Sequence, residues 1–312
     1  MTSAIEAAEA PEAPLDVRPG FARTKVLRQP QTIVGLAVLA FFVLIALLSP
    51  VLAPDPKAQV GAVFEAPSRA HPLGTDGGGA GMVELLIAGT RVSLMVGFAA
   101  AVVSALIGGT IGLLAGFFGG KLDTILMRFT DYVLVIPDVP LMIVAAALFG
   151  RSLTNIIVII GVIYWTTTAR LIRSQVTSVR ERVYVKRSRA LGAGNTRLVS
   201  KHILPQVAPL LIANTVLLVA YAIFAETFIT FLGLGDPSLI SWGRLIENAF
   251  TDDALLNDAW WAIVPPGVCV ACVVLACTMV GQATEDSLNP RLSVGHLSVR
   301  RFSLRPVPRR EP

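Results

Sequence analysis

Charge is scarce in this chain. Asp, Glu, Lys and Arg make up 15% of its 312 residues, against about 25% in an ordinary soluble domain. Histidine and cysteine are scarcer still, at three each. His71, His202 and His296 fall in separate segments, so no serine–histidine, cysteine–histidine or metal-ligand constellation emerges. Cys269, Cys272 and Cys277 crowd into one apolar block, and no histidine or second cysteine pair accompanies them at zinc spacing. They read as small packing residues. A phosphate loop is also missing. At Gly120-Lys121, Ala115 stands where the upstream glycine belongs and Leu122 where Ser or Thr belongs. The chain is therefore expected to bind no nucleotide, metal or other cofactor, and to be no enzyme.

What the chain has in quantity is long apolar sequence. Six blocks are free or nearly free of charge: Gln29–Pro54, Val92–Gly120, Tyr132–Gly150, Ser152–Ala169, Ile203–Ala225 and Ala259–Thr284. Only the third holds a charge, Asp138. A bilayer core of about 30 Å needs about 20 apolar helical residues to cross it. Backbone polar groups in lipid must be satisfied within the chain, so the blocks are expected to be helices. The alternation of a membrane barrel is absent. The expectation is an all-α integral membrane protein with six transmembrane helices.

Lys and Arg indicate the orientation. They cluster before the first block (Arg18, Arg23, Lys25, Arg28), after the second (Lys121, Arg128), between the fourth and fifth, and in the C-terminal tail. The alternate loops are sparse in cations, and residues 226–258 hold Arg244 alone. By the positive-inside rule both termini are cytoplasmic. The same rule accounts for the net charge of +5 without nucleic acid. Trp260 and Trp261 are expected at the outer interface as an aromatic belt. The first 28 residues begin acidic and lack a basic start followed by a short cleavable apolar core, so they read as a tail rather than a signal peptide. The expected organisation is a disordered cytoplasmic tail over 1–28, a first span over 29–54 and an extracytoplasmic loop over 55–91. A five-helix core follows over 92–291, then a second cytoplasmic tail over 292–312.

Small residues recur every fourth position in the second block: Ala100, Ser104, Gly108, Gly112, Gly116 and Gly120. On a helix they form a narrow stripe against which another helix can pack closely. Pro137 and Pro140, and Pro265 with Pro266, interrupt backbone hydrogen bonding in the third and sixth blocks, as tolerated beside neighbouring helices or a water-lined path. Glu226 and Asp138 are candidate pathway residues, because ionisable groups in spans are costly and tend to be functional. The plainer alternatives are a helix-end hydrogen bond for Glu226 and bonds to proline-freed backbone for Asp138.

The most informative segment is the basic one over residues 182–205. A helix-like stretch reaches Leu191, Gly192 permits a turn, and a second stretch runs from near Thr196 to Pro205. Leu191 and its small neighbours form an apolar tip flanked by cations, suited to docking in a cleft on a soluble partner. Ala190-Leu-Gly-Ala193, then His202-Ile-Leu-Pro205, with thirteen positions from Gly192 to Pro205, resembles the coupling loop of permeases in ATP-binding-cassette importers. His71-Pro-Leu-Gly-Thr-Asp76 looks like the signature between the first two spans of the C-type subunit in dipeptide/oligopeptide permeases. Gly89-Thr-Arg-Val-Ser-Leu94, the run from Gly119-Gly120 through Asp123, Met127-Arg128 and Asp131 to Ile136-Pro137, Glu226 to Gly235 with Ser241-Trp-Gly243, and Leu288-Asn-Pro-Arg291 are similar to further family patterns in the same order. Two departures stand out. Lys186-Arg187-Ser188 replaces the family's Glu-Ala-Ala, and Gly281-Gln-Ala-Thr-Glu-Asp286 replaces an acidic run.

The resemblance implies a type I importer permease bundle with a cytoplasmic coupling helix in a bacterial or archaeal cell membrane. It implies a second permease subunit, two ATPase subunits that hold the ATP and Mg, and an extracytoplasmic binding protein that delivers peptide. Tyr184, Arg189, Ala190, Leu191, Gly192, Ala193, Leu204 and Pro205 are the implied ATPase-coupling residues. The competing reading, an ion-gradient-driven transporter or channel without ATPase partners, predicts inverted repeats and ionisable groups near the midplane. The sequence shows no clear repeat and few such groups.

Overall fold

A computed structural model describes residues 29–288. Both expected tails, and the closing motif beyond Leu288, lie outside the described residues. Helix α1 (Pro30–Leu52) starts with proline in its first turn, where a missing N–H costs nothing. Helix α2 (Met82–Phe118) follows a folded loop in which Gln59–Ala80 and Thr75–Gly81 form isolated bridges. Its 37 residues span about 55 Å at 1.5 Å per residue. It begins inside the segment expected to be loop, because Glu84 and Arg91 interrupt the charge-free run without interrupting the buried face of Leu85, Leu86 and Leu94.

The third block is broken at Pro137, one of the two prolines expected to interrupt it, whereas Pro140 sits in the first turn of the helix that follows. Helices α3 (Gly120–Val135) and α4 (Asp138–Phe149) meet at an 85° bend. Pro137 disfavours helical backbone at the residue before it, and Ile136 is extended with ψ 124°. Alone, the 12 residues of α4 reach about 18 Å, too short to cross. Among the described residues, five helical segments are long and apolar enough to span a membrane, or six if the bent pair is one broken span.

Helix α5 (Leu153–Arg180) is capped by Ser152, whose hydroxyl accepts from the Asn155 N–H at 3.2 Å, and runs well past the charge-free block. Helix α6 (Val183–Ala190) is followed by a turn and a short helical stretch (Asn195–Leu198) that leads into α7 (Leu204–Ile229). The expected boundary at Pro205 is absent. A π-helical stretch, Val199–Ile203, lets the Leu204 N–H reach the Val199 carbonyl and carries the chain through the proline unbroken. Helix α8 (Trp242–Thr251) leads to α9 (Val264–Leu288). Pro265 and Pro266 sit in the first turn of α9, so they begin this helix rather than interrupt it.

The most extensive helix interface joins α2 to α5; α9 lies on α7, and α1 closes over α2 and α9. Three apolar clusters fill the interior among the described residues. One, at the α8 end, centres on Trp242, Phe42 and Leu245. Another joins α4 to α2, α5 and α7 through Met142, Ala146, Val96, Ile160 and Ile229. The last lies beneath α6.

Candidate functional site

The turn after α6 is set by backbone bonds. The Ala193 N–H donates to the Ser188 carbonyl at 3.1 Å and the Gly192 N–H to Arg189 at 3.0 Å, the paired bonds of a Schellman motif. That motif needs a left-handed residue, and Gly192 has φ +84°. A β-carbon at Gly192 would meet nothing within 4 Å, so glycine is required here for conformation and not for space. The turn lifts Leu191 to 89% exposure, more than any other large apolar side chain among the described residues.

The other face of the same segment is buried. Val185, Leu198 and Ile203 are at most 1% exposed and join Phe117, Ile172, Val176, Val179 and Val207 in one cluster, with Ala193 at its edge. Burying side chains of this size contributes roughly 1.5–3 kcal/mol each, enough to hold the segment to α2, α5 and α7 as a unit. Polar contacts reinforce the seat. Arg180 donates to the Gly116 and Phe117 carbonyls at 3.0 and 3.1 Å, capping the C-terminal end of α2. The Arg189 guanidinium lies 5.6 Å from the Phe117 ring centroid, and the Tyr184 ring 6.0 Å from His202. A hydrogen bond from Lys186 holds the Glu181 carboxyl below the usual carboxylate range. Of the sequence-selected residues, Ala190, Leu191 and Gly192 form the apex, and Tyr184, Leu204 and Pro205 are exposed flanks.

The small-residue stripe meets α5. A β-carbon at Gly108 would lie 2.4 Å from the Trp165 carbonyl, at Gly112 2.5 Å from that of Ala169, and at Gly116 2.8 Å from that of Arg173. Each four-residue step on α2 matches a four-residue step on α5. Gly120 stands apart. It has φ +58°, lies past the end of α2 and faces open space.

Asp138 opens α4, exposed at the bend, and its carboxylate accepts from the Val139 N–H at 2.9 Å. Glu226 is buried, at 2% exposure. It accepts from Thr230 Oγ1 at 3.0 Å and Ser93 Oγ at 3.4 Å, and bonds Ser241. Ser93 in turn accepts from the Trp242 N–H at 3.1 Å. One carboxyl thus joins α2, the end of α7 and the start of α8.

Sequence reasoning missed several partnerships. Arg173 grips Asp123 through both guanidinium arms (Nη2 to Oδ2 2.6 Å), and Arg170 pairs with Asp131 at 2.6 Å, stitching α3 to α5. The signal was present: Arg170 and Arg173 are one helical turn apart, and Asp123 and Asp131 two turns apart. Trp261 does not lie in an exposed belt. It is buried, and its indole N–H donates to the Thr75 carbonyl at 3.1 Å within the His71–Asp76 motif; only Trp260 is exposed. Among the described residues no group of three or more His, Cys, Asp or Glu converges, and the cysteines are unpaired.

Residues 108–294 match the family model described as binding-protein-dependent transport system inner membrane component. The chain is 35% identical to a Brucella suis protein whose name assigns it to a peptide transport system, over 86% of this chain and 91% of that one. It is 32% identical to a dipeptide transport system permease protein of Alkalihalophilus pseudofirmus, over 83% of this chain and 86% of the relative. To an oligopeptide transport system permease protein of Bacillus subtilis it is 32% identical, over 83% and 85% respectively.

Proposed function

Because the chain belongs to the binding-protein-dependent transport system inner membrane component family, we propose that it is a permease subunit of an ATP-driven importer of di- or oligopeptides. In this reading it crosses a cell membrane six times with both termini in the cytoplasm, the bent α3–α4 pair being one broken span. It forms half of the pathway with a second permease, receives peptide from an extracytoplasmic binding protein, and is driven by two separate ATPase subunits that hold ATP and Mg. The observation that carries the reading is the segment 183–205, whose root is buried against three helices while its apolar apex projects freely. Such a seat transmits a push. ATPase closure displaces the apex, and the buried root carries that displacement into α2, α5 and α7 as a rigid-body tilt.

Asp138, exposed at the bend, is the pathway-facing carboxylate in this reading. Glu226 stands behind the wall, holding the outer ends of α2, α7 and α8 in register. The test is purification in nanodiscs with partner chains retained, followed by peptide uptake assays in proteoliposomes. ATPase subunits and ATP-dependent uptake are expected. Uptake by this chain alone, driven by an ion gradient, would overturn the proposal in favour of a secondary transporter.

A further inference from the structure

The surface around Leu191 is more specific than an apolar knob. Within residues 182–205 lie Arg182, Lys186, Arg187, Arg189, Arg197 and Lys201, with no Asp or Glu. All six are exposed. Lys186 reaches back to Glu181 at 2.8 Å, and Arg189 lies over Phe117. Arg182, Arg187, Arg197 and Lys201 make no ion pair within the described residues. The apex they flank is open at its glycines, since a β-carbon at Gly192 or Gly194 would touch nothing.

Two features bear on what occupies this surface. The apex backbone is already ordered by the Schellman bonds, so docking it requires little further ordering. The four cations without an ion pair fall in this one segment, and such a concentration of one sign of charge attracts a partner of the opposite sign. An anionic membrane surface relieves the charge but leaves the projecting Leu191 without a fitted socket. A protein cleft can satisfy both.

Resting on the coupling role proposed above, we propose that the docking cleft of this chain's ATPase is an apolar socket for Leu191 with an acidic rim that pairs with Arg187 and Arg197. The Lys186-Arg187-Ser188 sequence sets two cations side by side next to the apex and makes the pairing selective. An ATPase cleft with a basic rim is repelled, and complementary charge at such a rim governs partner choice and association rate more than raw affinity.

The test uses the whole complex in nanodiscs, once with neutral lipid and once with anionic lipid, reading ATPase retention against salt. Wild type should release ATPase as salt rises from about 0.05 to 0.5 M, as exposed pairs are screened. Arg187→Glu with Arg197→Glu should weaken retention roughly tenfold at low salt in both lipids. Arg187→Lys with Arg197→Lys should restore it, and Leu191→Ala should release ATPase at every salt concentration. Retention lost in Leu191→Ala but unchanged in the charge-reversed variant overturns the acidic rim and leaves the coupling role standing. Retention unchanged in both overturns the coupling role as well. A charge effect confined to anionic nanodiscs overturns the rim by assigning the cations to lipid. Both arginines are exposed, and thermal unfolding of each variant should match wild type.

Discussion

Two residues separate conformation from contact. Gly192 is required by its positive φ, since nothing surrounds it. Gly192→Val should therefore strain the turn by about 1–2 kcal/mol and uncouple transport, while Gly192→Asn, which tolerates left-handed backbone, should be milder. Peptide uptake and ATP hydrolysis measured together check this, and intact coupling in the valine variant would refute the role given to the turn. Glu226 is the opposite case, defined wholly by its contacts. In Glu226→Ala the hydroxyls of Ser93, Thr230 and Ser241 lose their buried acceptor, at about 1–3 kcal/mol for each group left unpaired. Glu226→Gln keeps an acceptor oxygen and should lose less. Thermal unfolding in detergent ranks the two, and equal midpoints would show that the carboxyl is not a strut. The sequence marked Glu226 as costly to bury. It could not show that one compensating donor, Ser93, comes from more than a hundred positions away while Thr230 comes from the adjacent turn.

Among the helices, the pairing of α2 with α5 is the most extensive described, and along the glycine stripe it brings backbone against backbone. Gly112→Leu places a side chain where even a β-carbon lies 2.5 Å from the Ala169 carbonyl, and overpacking of this kind costs about 1–3 kcal/mol or more. Loss of folded protein in detergent and of transport is expected; wild-type yield and uptake would rule out the close contact. Gly120→Ala should behave differently, because that position is open and only its φ of +58° opposes the change. The four-residue period predicted a stripe but could not say where it ends, because Gly119 and Gly120 stop α2 by turning and continue the spacing without continuing the helix. The third block shows the converse. Its composition is that of a span, yet Pro137 bends it by 85°, and hydropathy is blind to a bend.

Considered as a whole molecule, the chain has two distinct ends joined by α2. One carries the basic segment and Phe117. The other carries the loop held by Trp261 and Thr75, with α8 anchored through Trp242 and Phe42. The proposed topology predicts that Lys57→Cys reacts with a membrane-impermeant thiol reagent in intact cells and Arg187→Cys only after lysis. The reverse pattern would invert the proposed topology.

Sequence alone determined the solvent of this protein and its architectural class. Both depend on local sums: the length of charge-free runs, the alternation of cations, and the spacing of glycines on a helix. The motifs also pointed to the family. Only the tertiary structure decided which residues act together. Leu191 is an exposed apex because Val185, Leu198 and Ile203 bury the opposite face. Trp261 is a buried clasp because Thr75 is folded beneath it. Glu226 is a strut because three hydroxyls surround it. Each arrangement includes a contact between segments distant in the chain, and the free energy of such contacts comes from excluding lipid or water between surfaces whose meeting no local pattern encodes.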